Sequence, residues 1–95
     1  MSDIKFEELK RKDRLYFARM MPKLGYYEIH EVSVATHHVG EDSYCTVSDI
    51  NTKQSFLLHK PRAEQTLFID RQKALEYLKE QKALNGNGVD YKNIK

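Results

Sequence analysis

The segment YYEIHEVSVATHH, residues 26 to 38, limits the folds open to this chain more than any other stretch. It is rich in β formers, lacks Gly and Pro, and reads as one long strand. Tyr27 and Ile29 share one parity, while Val32, Val34 and Thr36 share the other. A regular strand buried on one face would put half of these residues in water, so the pattern predicts a bulge or sharp bend near His30 and Glu31. Long strands that bend and serve two sheets are what small barrels need.

The flanking segments extend this reading. LYFARM, residues 15 to 20, reads as a strand, and MPKLG after it supplies Pro22 and Gly25 for a turn. VGED, 39 to 42, turns the chain into SYCTVSD, and DINTK, 49 to 53, turns it again into QSFLLHK. KPRAEQ reads as a loop before a short strand, TLFI. At Asp70 the period changes. Its carboxylate suits an N-cap, although Lys73 stands where a full capping box has Glu or Gln. Ala74, Leu75 and Leu78 line one side of the helix with Tyr77 at its edge; Lys73, Glu76, Lys79, Glu80 and Lys82 face water. NGNG, 85 to 88, is expected to end it. DIKFEELKRK, 3 to 12, has acids early and bases late, which suits a short helix or a loosely attached arm.

The expected fold is α+β, mainly β: a small five-stranded antiparallel barrel of SH3-like type, or a strongly bent sheet, closed by a C-terminal helix. The expected organisation is an N-terminal arm or short helix over 1–13, one barrel-plus-helix domain over 14–84 and a mobile tail over 85–95. At 95 residues the chain has apolar material for a single core. With 40% hydrophobic residues and only six Gly plus Pro it is too apolar for wholesale disorder. No apolar run approaches the roughly 18 residues of a membrane span, and the charged start is unlike a signal peptide. With a lone cysteine, Cys45, no internal disulfide can form. These features fit a cytoplasmic protein with no membrane partner.

Register decides what the histidines can do. Val32, Val34, Thr36, Phe56 and Leu58 belong inside by alternation, so the expected pairing sets Thr36 opposite Cys45 and Cys45 opposite Leu58. Cys45 and Val47 then point inward, and His37, Tyr44 and His59 form an outer row flanked by Ala35, Thr46 and Leu57. A metal site using His37, His59 and Cys45 would need both hairpins to slip by one residue, exposing Val34 and Leu58. No His or Cys pair has zinc-finger spacing, and no cofactor is expected.

Signatures of nucleophile elbows, phosphate loops and dinucleotide folds are absent, which argues against an enzyme. Two features point to binding. The row His37, Tyr44, His59 with Leu57 beside it mixes apolar area with hydrogen-bonding groups, as interface centres do. Residues 26 to 50 hold five acids and no Lys or Arg, a net −5 between segments of +3 and +4. Glu28, Glu31, Glu41 and Asp42 in this segment could meet a basic surface on a host protein or stand in for a phosphate backbone. The alternative is a nucleic-acid-binding barrel using Arg11, Lys12, Arg14, Arg19, Lys53, Lys60 and Arg62, but such a protein should carry one connected basic surface.

The stretches RLYFARMMPKLGYYEIHEVSVAT, SYCTVSDINTKQSFLLHK and LFIDRQKALEYLKEQ resemble a group of small proteins from phages and prophages of Firmicutes. The landmarks are the Y-x-A-R-M-x-P run, the Y-E-I strand, the D-x-x-T-K-Q hairpin and the I-D-R-x-x-A-L helix start. The resemblance covers residues 14 to 82 and implies a mobile-element product acting by stoichiometric binding. An inhibitor or adaptor on a host protein is implied, with anti-defence proteins of the anti-CRISPR kind, which block nucleic-acid-handling complexes, as one form.

Overall fold

The computed structural model describes residues 3 to 88. Its longest strand, β2 (Tyr26–His38), belongs to two ladders. Its first part pairs antiparallel with β1 (Arg14–Met21), from Met21↔Tyr26 to Arg14↔Ser33. Its second part pairs with β3 (Tyr44–Asp49), from Val32↔Asp49 to His38↔Tyr44. β4 (Ser55–His59) lies outside β3, and the two-residue β5 (Leu67–Phe68) outside β1, giving the order β4-β3-β2-β1-β5.

The sheet curls without closing. Flat, β1 and β4 would stand roughly 14 Å apart, three strand spacings. Yet the rings of Phe17 and Phe56, one on each strand, meet at 5.0 Å between centroids. Of the two forms expected from sequence, the strongly bent sheet is the one adopted.

The change of apolar phase in β2 has a different cause from the bend expected at His30 and Glu31. The β1–β2 register runs through both residues without a shift. Both faces of the sheet are covered there, so both parities can be apolar. On the concave face Leu15, Phe17, Val32, Val34, Cys45, Val47 and Leu58 form the main core. On the convex face Ala18, Ile29, Tyr27 and Phe68 pack against Ala74 and Leu78 of α2 (Arg71–Gly88). The one irregularity lies further on, between the pairs Val34↔Val47 and Thr36↔Thr46, where Ala35 is the extra residue.

The ends of the chain are built into this core. Phe6–Glu8 form a 3-10 turn, and Ile4, Phe6 and Leu9 are buried in the main core, so this segment is no loose arm. Asp3 accepts the N–H groups of Ile69 (2.7 Å) and Asp70 (3.2 Å), tying the N-terminus to the start of α2. Asp70 accepts the Gln72 N–H at 2.8 Å, the capping role its position implied. The segment expected as a loop is α1 (Lys60–Thr66): Pro61 opens it, and Ala63 and Thr66 are buried. It takes up the first residue of the expected strand TLFI, leaving Leu67 and Phe68 to pair with β1. α2 continues through the NGNG segment to Gly88; the rest of the expected tail, 89 to 95, lies outside the described residues.

Candidate functional site

The hairpin of β3 and β4 has the register expected from alternation, with Cys45↔Leu58 and Tyr44↔His59. Cys45 is fully buried, and burial pushes its thiol up to about 11, leaving little thiolate for nucleophilic or metal chemistry at neutral pH. The β2–β3 ladder departs from expectation by one residue. Because Ala35 bulges, His37 stands opposite Cys45 and Thr36 opposite Thr46, where Thr36 had been expected to face Cys45. Thr36 is exposed, its hydroxyl 2.7 Å from that of Thr46.

The expected outer row is therefore corrected. His37 turns inward, its ring 4.9 Å from that of Phe6 and its Nε2–H donating to the Phe6 carbonyl at 2.7 Å. His38 takes its place. The His38 and Tyr44 rings stack at 5.2 Å, and Tyr44 meets His59 edge-on at 6.5 Å. Leu57 is 58% exposed beside them. Asp42, in the β2–β3 turn next to Glu41, reaches His59 Nε2 at 3.8 Å. α2 packs against β1, β2 and β5, so this outer side of β3 and β4 faces solvent.

The acids of the central segment are not gathered. Glu41 and Asp42 flank the row, but Glu28 sits near the other end of β2, where it accepts the Tyr26 O–H at 2.7 Å, and Glu31 pairs across the ladder with Tyr16 on the face covered by α2. The basic residues are scattered as well. Arg11 and Lys12 precede β1, whereas Arg19 lies near its far end. Lys60 is engaged with Glu7, which raises the ammonium pKa and lowers that of the carboxyl. Arg19 and Arg62 line a cleft between β1 and β4. Among the described residues no group of three or more His, Cys, Asp or Glu side chains is placed to hold a metal ion. His37 and His59 lie on opposite faces.

Sequence reasoning passed over a polar cluster on the concave face. His30 donates from Nδ1 to Asp49 Oδ2 at 2.8 Å, and its Nε2 lies 3.1 Å from the Tyr26 hydroxyl. Asp49 is buried and its Oδ1 accepts the N–H groups of Asn51 (2.7 Å) and Thr52 (2.9 Å). The Thr52 and His30 hydrogen bonds hold its carboxyl below the usual range. His30 also props Phe56, ring to ring at 5.3 Å, and Arg19 lies over Phe56 at 4.9 Å. The parity of His30 with Val32 and the turn chemistry of Asp49 were both visible in sequence.

No protein-family model matches the chain, and none of the curated proteins or solved structures compared with it matches either.

Proposed function

We propose that this chain is a binding protein without turnover chemistry of its own, which docks another protein through the outer side of β3 and β4. The observation that carries the reading is the ring row His38, Tyr44, His59 with exposed Leu57 beside it. An aromatic residue between hydrogen-bonding rings, next to an aliphatic side chain, is the composition of an interface centre. Glu41 and Asp42 give one rim of that surface a negative charge suited to a basic partner. The scattered basic residues favour a protein partner over a phosphate backbone. The resemblance to phage and prophage products makes an inhibitor or adaptor acting on a host protein, of the anti-defence type, the finer form of the proposal.

The test is affinity capture from bacterial lysate with wild type and a Tyr44→Ala, Leu57→Ala variant. Both positions lie outside the main core, so the fold should persist, which circular dichroism checks. If the row is the interface centre, truncation costs about 2 kcal/mol or more, and recovery of the captured protein falls by roughly thirtyfold. Equal recovery of every captured protein removes this face from the account.

A further inference from the structure

We infer that the free edge of β4 accepts an extended acidic segment of a partner protein as a sixth strand, seated over the cleft where the curled sheet fails to close. The inference deepens the docking reading above and rests on it.

The alternation of hydrogen bonds shows which backbone groups are free. Asp49 N–H donates to Gln54 O at 2.8 Å, and Lys60 N–H to Ser43 O at 3.0 Å. With Cys45↔Leu58 and Val47↔Phe56 between them, the backbone groups of Phe56 and Leu58 face β3. Those of Ser55 and Leu57 and the N–H of His59 point away from the sheet, and these three residues are exposed, while the His59 carbonyl, at the N-cap of α1, belongs to that helix. Proteins commonly blunt such an edge with a charge, a proline or a bulge. Ser55–His59 contains neither Lys, Arg, Asp, Glu nor Pro, and its register with β3 has no shift.

What lies beside the edge specifies the occupant. Between β1 and β4 an open cleft of about 500 Å3 is lined by apolar Phe17, Met21 and Phe56 and by two cations, Arg19 and Arg62, with no acid among its lining residues. Arg19 is set by the faces of Tyr26 (5.2 Å) and Phe56 (4.9 Å). The apolar floor continues into Met20, Pro22 and Leu24, the last 68% exposed. A strand added here satisfies the free groups of β4, with its acidic side chains toward Arg19 and Arg62 in the cleft and the alternate apolar ones on the outer side beside exposed Leu57. A second copy of this chain fits worse. Antiparallel pairing of two β4 strands about Leu57 would bring Lys53 of one copy beside Lys60 and Arg62 of the other.

The test uses fluorescence anisotropy with a labelled heptapeptide alternating Glu and Val, and a control peptide alternating Lys and Val. Wild type should bind the acidic peptide, lose affinity as salt rises, and ignore the control. Leu57→Pro removes an outward N–H without touching the ladder to β3, and proline is tolerated at such a position; it should weaken binding about tenfold, the equivalent of one backbone hydrogen bond. Arg19→Gln with Arg62→Gln should weaken it at least as much. Absence of binding by wild type, equal binding of the control, or indifference to Leu57→Pro overturns the inference. So does sedimentation of wild type as a dimer that Leu57→Pro dissociates, which would assign the edge to a second copy. If the Tyr44→Ala, Leu57→Ala capture result stands while the peptide does not bind, the docking face survives and the edge inference alone fails.

Discussion

Replacing Phe6 with alanine lowers the stability of the fold by about 3–5 kcal/mol, the cost of truncating a fully buried phenylalanine. Phe6 is 0% exposed and belongs to the main core together with Ile4, Leu9, Val34 and Cys45. It also gives His37 a ring to pack on, so its truncation loosens the support of the inward histidine while leaving the backbone carbonyl to which that histidine donates. Domains of this size have about 5–15 kcal/mol in all, and the substitution should remove about a fifth or more of it. Urea denaturation followed by circular dichroism checks this. A loss below about 1 kcal/mol would mean that the segment from Asp3 to Leu9 is peripheral, contrary to its burial.

The second large effect concerns Asp49, whose two oxygens hold the β3–β4 turn through Asn51 and Thr52 and the concave face through His30. Asp49→Asn keeps the shape but removes the charge, so hydrogen bonds to a carboxylate become weaker neutral ones or are lost. The expected cost at neutral pH is about 1–3 kcal/mol. Its pH dependence has a definite sign. The folded-state pKa of Asp49 is depressed, so its contribution is fully present above the ordinary carboxylate range and is lost as pH falls through the folded value. The difference between wild type and Asp49→Asn should therefore narrow as pH falls below about 4, the unfolded value for an aspartate. Denaturation midpoints that differ equally at neutral and acid pH would show that the carboxylate charge is not what matters.

Parts of this architecture were legible in sequence because local chemistry and tertiary demand agree. The inward parity of Cys45, Val47 and Leu58 and the turn residues from Asp49 to Lys53 specify the β3–β4 register without outside help. Asp70 marks the start of α2 for the same reason. Other parts depend on what covers a face. The parity change between Ile29 and Val32 is compatible with a bend or with burial on both sides, and only the position of α2 distinguishes them. α1 is seven residues long and would be marginal alone; Ala63 and Thr66 hold it against the core. The bulge at Ala35 has no Gly or Pro to announce it, and a single added residue exchanges His37 for His38 beside Tyr44. A row of rings on the outer face of the hairpin was therefore readable, whereas the identity of one of its imidazoles was not.

The proposed docking face rests on that bulge, and proton–proton contacts between aromatic rings in a nuclear Overhauser spectrum of the folded protein test the bulge directly. The account expects contacts from the His38 ring to the Tyr44 ring and from the His37 ring to the Phe6 ring. Contacts from His37 to Tyr44, with His38 remote from both, would restore an unbulged ladder and contradict the account.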